Sequence, residues 1–456
     1  MAGFSALHVA LSGLRAAQMA MDTAAHNVSN ANTVGYTRQK VDLTTRFPRM
    51  TADGQIGLGV QVSDISRVRD AFLDARYRSS AAASQSIDAR SAFLDRAELV
   101  LAEPEMGVTA ELSRLFESFE DLALNPPDEA SRVAVLEQIS ALTGRVNAVA
   151  TGFQSLRSDG EVAMTATVDE VNSALQRVAE LNVAILDAST APGQPNDLID
   201  QRDLLLDRLA ALAGTTVSMD GNGSARVSIG GISLVNGATA RPLHYDTSTG
   251  QVIHPSGVAV IPGGELRGIQ LAITEDVPNL MTRLNDFAVD LAAAINGIHN
   301  GGFTAAGAAG GDLLGYDPLA PALTLARLVT NPADLATAAA AGPPYPAFDG
   351  SVAQQVADLR TSMSASGGTQ SLSDSYRAFV TALGQESAAA RTSAETQAGL
   401  SSAAELARTS SHGVSVDEEM VSLMEFQRMY EAAARVITTV DQALDTVINR
   451  MGVVGR

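Results

Sequence analysis

Residues 416–451 read VDEEMVSLMEFQRMYEAAARVITTVDQALDTVINRM, and residues 4–28 read FSALHVALSGLRAAQMAMDTAAHNV. Both stretches repeat apolar or small residues at intervals of three and four, which is typical of a helix with one apolar side. Such a stripe is stable in water only when it packs against a partner. We therefore predict two terminal helices that pair with each other and with the terminal helices of neighbouring copies.

The predicted contact residues are the large side chains of the two stripes. They are Phe4, Leu7, Leu11, Leu14, Met21 and Val28 in the first stripe, and Met420, Leu423, Tyr430, Ile437, Leu444 and Ile448 in the second. Gln18, Gln427 and Asp441 interrupt the stripes as isolated polar positions, as coiled coils allow. Ordinary core helices are the competing interpretation. The extreme positions and the unbroken spacing favour an assembly protein over an enzyme.

Composition narrows the possible classes of protein. The chain has 456 residues, 46% of them apolar, no cysteine and a formal net charge of −20. The charge disfavours a nucleic-acid partner, and disulfides are excluded. No apolar run is long enough for a membrane span. The first residues lack the features of a signal peptide, so we expect a cytoplasmic protein or one exported without a cleaved signal.

The pattern along the chain is helical, then β, then helical again. Helices are predicted over 70–101, 109–124, 128–187 (one long helix or a hairpin), 197–213 and 277–299, and from about 372 onward, and strands over 40–45 and 60–65. Short β runs follow between 215 and 261, separated by glycine-containing hairpin signals, the last of which is Gly263-Gly264. Residues 300–350 are rich in glycine, alanine and proline and are expected to form loops with a strand or two.

The predicted fold is mainly α, an elongated chain of several domains with paired terminal coiled-coil helices and a small inserted β domain. The terminal domain is predicted to comprise 1–75 and 415–456, the helical domain 76–214 and 276–414, and the β domain 215–275. Ser415, with Glu418 three residues later, has the pattern of a capping box at the start of the last helix.

The sequence contains only weak signals for a metal, phosphate or catalytic site. The six histidines lack the spacing of a zinc site, and His8 and His26 are expected on a solvated helix face. Gly54, Gly57 and Gly59 fit a turn better than a phosphate loop. A triad of distant Ser, His and Asp residues stays open, although the chain has no Gly-x-Ser-x-Gly motif. We predict no cofactor, no metal and no enzymatic activity.

One motif is specific enough to indicate a family. It begins after Ser12-Gly13-Leu14-Arg15-Ala16, continues through Asn27-Val28-Ser29, and its most characteristic residues are Asn30, Asn32, Thr33, Gly35, Tyr36, Arg38 and Gln39. With the C-terminal stretch from Asp417 to Asn449, it resembles the axial proteins of the bacterial flagellum, namely rod, hook and junction proteins. Val34 stands where many members have proline. Thr37-Arg38-Gln39 and Gly263-Gly264-Glu265-Leu266-Arg267-Gly268 are most similar to the junction proteins between hook and filament.

The resemblance implies a structural subunit in a ring or helical tube of identical copies. Its implied partners are the hook protein, a second hook–filament junction protein, and a cytosolic export chaperone on the C-terminal helix. It also implies export by the flagellar type III apparatus to an extracellular position on the flagellum. The alternatives are a hook or distal rod protein and, in a different class, a cytosolic coiled-coil scaffold; an enzyme is the third.

Overall fold

The computed structural model describes residues 2–51, 54–103, 107–190, 193–341 and 346–447. The helices are α1 (Ala2–Asn30), α2 (Ala71–Leu101), α3 (Val108–Leu124), α4 (Glu129–Ala188), α5 (Asn196–Ala213), α6 (Gly264–Leu271), α7 (Val277–His299), α8 (Pro321–Thr324), α9 (Ser351–Asp358), α10 (Leu372–His412) and α11 (Val416–Asp445). The strands are β1 (Gln39–Thr45), β2 (Arg49–Thr51), β3 (Gly54–Ile56), β4 (Val60–Arg67), β5 (Thr216–Met219), β6 (Ala225–Ile229), β7 (Ile232–Asn236), β8 (Thr239–Ala240), β9 (His244–Asp246), β10 (Gln251–His254), β11 (Gly257–Val258), β12 (Leu314–Gly315) and β13 (Ala326–Arg327).

Side-chain caps define where the long helices begin. Asp70 accepts backbone N–H groups at the start of α2, Asp128 does so for α4 and Ser371 for α10. Ser415 accepts the N–H of Glu418 at 3.4 Å and caps α11. These residues satisfy donors that have no partner inside the helix, so a polar residue marks the start of each of these four helices.

The 60-residue helix α4 is the centre of the helical body. The long pattern over 128–187 forms one continuous helix rather than a hairpin. It packs against α3, α5, α6 and α7, and its apolar side chains from Val135 to Ile185 are buried. Gly160 lies where α4 approaches its neighbours, because a Cβ added there would be only 2.3 Å from Cγ2 of Ile273.

The β region contains two small antiparallel sheets. Strands β5, β6, β7 and β8 form one in that order, and β10 pairs with both β9 and β11 in the other. Asn182 of α4 ties the first sheet to the helical body: its side-chain amide donates to the carbonyl of Ala225 at 2.9 Å and accepts the N–H of the same residue at 2.9 Å. The predicted β runs over 215–219, 225–229, 232–235 and 252–254 are confirmed, whereas the run predicted over 258–261 is a strand only at Val258.

One predicted turn is wrong. Gly263-Gly264 is not a hairpin signal, because α6 begins at Gly264 and continues through a π-helical turn, Ala272–Asp276, into α7. Gly264 has φ +79°, and a Cβ there would meet the backbone of Leu212 at 2.5 Å. The glycine therefore permits a close approach to the end of α5. Helix α9 was also absent from the sequence prediction.

The C-terminal helices pack back along the N-terminal helices, in agreement with the predicted pairing of the two ends. Helix α10 packs along α2, and α11 packs along α1. Together with the small β region, this gives a mainly α fold whose two ends meet. Strands β1 and β4 form a two-stranded antiparallel sheet beside α1, and they place the motif after α1 between the terminal helices and α5.

Candidate assembly interface

Helices α1 and α11 pack antiparallel. The side-chain amide of Asn27 donates to the carboxylate of Glu419 at 3.0 Å, whereas near the other end a Cβ on Gly13 would lie 4.0 Å from Cβ of Ala433. The end of α1 thus meets the beginning of α11. Terminal pairing, predicted from two separate stripes, is present in the fold of a single chain.

The most deeply buried apolar residues of α1 are small ones. They are Ala10, Ala16, Ala17, Ala20 and Ala24. Alanine allows two helix backbones to approach closely, because its side chain ends at Cβ. The predicted residues Leu7, Leu11, Leu14, Met21 and Val28 are half-buried beside them. The side chain of Phe4 lies outside the described residues.

On α11 the inward side follows a heptad pattern. Leu423, Tyr430, Ile437 and Leu444, all predicted, are half-buried at intervals of seven. The residues three positions after the first three, Phe426, Ala433 and Val440, are half-buried as well. Sequence reasoning omitted these three, although the alternating three-and-four spacing of a coiled coil identifies them. Ile448 lies outside the described residues.

Large apolar side chains are also exposed on the helix pair, among charged residues such as Glu425 and Arg428. Met420 is 46% exposed, and the other large exposed apolar residues on the two helices are Val9, Met19, Val416, Val421, Met424, Met429 and Val436. Several large apolar side chains exposed on the same two helices favour an interaction site. One chain therefore leaves uncovered a surface that a neighbouring copy could bury.

The motif after α1 folds back onto the helix pair. Asn27 is 1% exposed. Its side-chain oxygen accepts from the Tyr36 hydroxyl at 2.7 Å and from the Gln39 N–H at 3.0 Å. Arg38 Nε donates to Glu419 at 2.6 Å. This polar group joins α1, the motif and α11, and it explains why asparagine, tyrosine and arginine occur together there.

The other motif residues shape the turn. Asn30 donates to the His26 carbonyl at 3.1 Å and accepts the Thr33 hydroxyl at 3.2 Å. Asn32 is exposed. Gly35 has φ +81°, which only glycine adopts without strain. Each of these roles is structural.

A buried cluster of charges connects the motif to the helical body, and sequence reasoning missed it. We call it the arginine–aspartate cluster; it comprises Arg67, Arg69, Arg78, Arg408, Asp74, Asp200, Asp203 and Asp207. Three of the acids, Asp200, Asp203 and Asp207, share one face of α5 because they are three and four residues apart. That spacing is the signal that could have found it.

Each acid of the cluster forms an ion pair with at least one arginine. Arg67 Nη1 lies 2.7 Å from Asp200 and 2.8 Å from Asp203; Arg69 also contacts Asp203. Arg408 of α10 lies 2.5 Å from Asp207. Burial acts to raise the pKa of Asp203, but the guanidinium groups of Arg69 and Arg67 outweigh it and hold that pKa below its usual value. The cluster therefore fixes β4, α2, α5 and α10 together in charged form.

Thr37 connects the family motif directly to the cluster. Its N–H and hydroxyl donate to the Asp200 carboxylate at 3.0 and 2.7 Å. The position of the terminal helix pair relative to the body thus depends on charges that the fold buries.

The histidines have structural contacts. His26 is half-exposed, 3.7 Å from Asp197 and edge-on to Tyr36, while His8 is exposed, in line with the expected solvated face. His412 Nε2 accepts the N–H of Asp70 at 2.7 Å. Within the described ranges, no group of three or more His, Asp or Glu side chains is arranged to hold a metal ion. Among the helices the structure describes, none combines the length and apolarity needed to cross a bilayer.

Family models match three parts of the chain. A model described as the flagellar hook-associated protein FlgK helical domain matches residues 94–314. A flagella basal body rod protein model matches 7–37, and a model of the flagellar basal body rod FlgEFG protein C-terminal region matches 408–451. The rod-type matches cover most of the helix pair and the motif as far as Thr37, and the hook-associated match covers α3 to α7 and the β region.

Individual relatives agree with these matches. Flagellar hook-associated protein 1 of Bacillus subtilis is 31% identical over 503 residues, covering 99% of both chains. The Escherichia coli protein of that name is 28% identical over 548 residues, covering 98% of this chain and 99% of the relative. The solved structure of the flagellar hook junction protein FlgK from Burkholderia pseudomallei has a TM-score of 0.65 at 16% identity, covering 75% of this chain and all of that one. The structural likeness supports the fold, and the identity over nearly the full length shows that this chain belongs to the flagellar hook-associated protein 1 family.

Proposed function

We propose that this chain is a structural subunit of the bacterial flagellum that joins the hook to the filament. The observation that carries the proposal is the terminal helix pair, which packs through buried alanines and leaves large apolar side chains such as Met420 and Met424 exposed. Burying one large apolar side chain stabilises an interface by about 1.5–3 kcal/mol. Copies arranged side by side in a ring or helical tube would bury these residues together.

The same proposal names the partners and the location. The hook protein would adjoin one end of the assembly and a second hook–filament junction protein the other. A cytosolic export chaperone would cover the C-terminal helix before export, since the exposed apolar residues of α11 need protection in a free chain. The chain would then act outside the cell, exported without a cleaved signal peptide.

We also propose that the terminal domain comprises 1–75 and 415–456, the helical domain 76–214 and 276–414, and the β domain 215–275. The arginine–aspartate cluster lies near the first boundary and joins the two domains there through buried ion pairs. Helix α6 packs on α2, so any experiment that removes the β domain has to retain residues from Gly263 onward. A mechanical role without catalysis fits the structural contacts of the motif residues.

A hook or distal rod protein is the second candidate function. The rod-type matches at both ends favour it, because they cover the helix pair. The hook-associated match over 94–314 favours the junction role instead. Immunogold labelling of intact flagella separates the two, because a junction subunit labels only the boundary between hook and filament.

The test of the junction role uses Leu423→Asp. Leu423 is half-buried on the inward side of α11, so a carboxylate there loses its water without gaining a partner, which costs several kcal/mol. We expect hooks to form normally while flagellin leaks into the medium, because filaments no longer attach. Secretion of the variant is measured separately, because the same helix is the proposed chaperone site.

Two variants serve as controls. Leu400→Asp makes the same change at an exposed position of α10, and Arg428→Ala changes an exposed position of α11. Both should leave motility near that of the wild type. Normal filaments built with secreted Leu423→Asp protein would show that the helix pair does not hold the joint.

A further inference from the structure

Between β1 and β4, strands β2 and β3 form a hairpin within residues 43–58, and its described side chains, at 43–50 and 54–58, are almost all exposed. Strands β2 and β3 pair within it, with Arg49 opposite Ile56 and Met50 opposite Gln55. Phe47 is 90% exposed and Met50 is 72% exposed. Large apolar side chains exposed on a hairpin are unfavourable in water, so this hairpin has the character of a contact surface.

The base of the hairpin is held firmly. The Arg46 N–H donates to the Gly59 carbonyl at 2.9 Å, and the Val60 N–H donates to the Ser12 hydroxyl of α1 at 3.2 Å. Gly59 has φ +90°, and a Cβ there would be 2.1 Å from the Ser12 oxygen. These contacts fix the position of the hairpin along α1. A fixed hairpin loses less conformational entropy when it binds a partner.

The charge of the hairpin is opposite to that of the chain. Residues 43–58 contain two arginines and one aspartate, net +1, in a chain of net charge −20. Neither Arg46 nor Arg49 forms an ion pair with any acid in the part of the chain that the structure describes. The hairpin thus combines the exposed apolar side chains of Phe47 and Met50 with the positive charges of Arg46 and Arg49. It is complementary to a surface that is apolar and acidic.

The first turns of α11 form such a surface. Met420, Val421 and Met424 are exposed there, and the exposed acids Asp417 and Glu425 flank them. Over its whole length, Val416–Asp445 contains seven acids and two arginines, net −5. Methionine side chains adapt readily to a partner's shape, and the flanking carboxylates are suited to pair with guanidinium groups.

The hairpin and the exposed surface of the first turns of α11 lie at different positions along the axis of the helix pair. The hairpin is anchored at Ser12, whereas the acidic apolar surface lies beside Asn27, which contacts Glu419. Fifteen residues of helix separate these positions by about 22 Å. A second copy displaced along the axis of the pair brings its hairpin to this surface, and because two different patches meet, the contact repeats from copy to copy.

We propose that the hairpin over 43–58 of one copy docks on the first turns of α11 of a neighbouring copy. Phe47 and Met50 would pack against Met420 and Met424, while Arg46 and Arg49 would pair with Asp417 and Glu425. The inference rests on the proposed function, since it needs copies of this chain side by side in the flagellum. It adds a specific contact between subunits outside the helix seam.

Disulfide cross-linking tests the contact cleanly, because the chain contains no cysteine. Two full-length chains with different affinity tags are co-expressed, one carrying Met50→Cys and the other Met424→Cys. Flagella are isolated and oxidised mildly. We expect a reductant-sensitive dimer that contains both tags. The matched control replaces Met424→Cys by Leu400→Cys, at an exposed position of α10, and should give no such dimer.

A charge swap provides the second arm. Arg46→Glu with Arg49→Glu should abolish the cross-link, and adding Asp417→Arg with Glu425→Arg to the partner chain should restore it. Flagella that contain both single-cysteine chains but yield no mixed dimer would overturn the docking contact and leave the junction role intact. Absence of the unaltered chain from isolated flagella would overturn the junction role itself, and the docking contact with it.

Discussion

The side-chain amide of Asn27 lies 3.0 Å from the carboxylate of Glu419, across 392 residues of sequence. Glu419 is 2% exposed, and it also accepts Arg38 Nε at 2.6 Å. One buried carboxylate thus joins α1, the motif that follows it, and the first turn of α11.

Glu419→Ala removes the acceptor shared by Asn27 and Arg38. Leaving these donors unsatisfied costs about 1–3 kcal/mol, so α1 and α11 should open more often. Amide hydrogen exchange in both helices should accelerate, while exchange in α4 stays unchanged. The control is Glu418→Ala, whose carboxylate is 67% exposed and 3.6 Å from Arg38; it should change stability by about 0–0.5 kcal/mol. Equal effects of the two variants would contradict the role assigned to Glu419.

Asp203→Asn tests the arginine–aspartate cluster. The substitution keeps the shape of the side chain but removes the charge that Arg67 and Arg69 face, and breaking a buried pair in this way costs about 3 kcal/mol. Urea unfolding of the purified chain measures the change. Glu170→Gln removes the acid of a half-exposed pair with Arg208 and should cost less than about 0.5 kcal/mol. A loss no larger for Asp203→Asn than for this control would show that the cluster contributes little.

His412 predicts a dependence of stability on pH. Burial lowers its pKa below the usual 6.5, and the charges of Arg69 and Arg408 also lower it, while Asp74 opposes them. As the pH falls, His412 is therefore protonated at a higher pH in the unfolded chain than in the folded chain. The stabilisation from the neutral ring is complete above about pH 6.5 and is lost below it, by at most about 1.4 kcal/mol per pH unit.

Thermal melts between pH 7.5 and 5 measure this loss. His412→Gln should make the melting temperature fall less steeply over that range than in the wild type. His299, whose pKa burial also lowers, should account for part of the slope that remains. An identical slope in the variant would rule out His412 as a source of the pH dependence.

Two glycines of α4 should respond in opposite directions to alanine. At Gly144 a Cβ meets nothing within 4 Å, so Gly144→Ala should stabilise the chain by about 0.5–1 kcal/mol. At Gly160 it would be 2.3 Å from Ile273 Cγ2 and 3.1 Å from Phe93, so Gly160→Ala should destabilise it by about 1–3 kcal/mol through overpacking. Urea unfolding of both variants checks the signs, and a gain in stability at Gly160 would contradict the close packing of α4 on the π-helical turn.

Local sequence determined the long helices, most of the strands and the family of this protein. Spacing of three and four is a property of a single helix, so α4, α5 and α7 are readable without knowing their neighbours. Polar caps such as Asp70 and Ser415 act within one turn, and they too are visible in sequence. The motif from Asn30 to Gln39 is short and continuous, and so its resemblance to flagellar axial proteins is readable directly.

Tertiary structure alone decided which faces meet. The stripe through Leu7, Leu11 and Leu14 has the stronger apolar signal, yet Ala17 and Ala20 face α11, because close approach of two backbones favours the smallest side chains. Arg67 and Asp203 are 136 residues apart, and no periodicity connects them. Gly264 resembles a turn residue locally, but the nearby backbone of α5 makes it a point of close packing. Local physics set each element, and contacts between distant residues set how the elements combine.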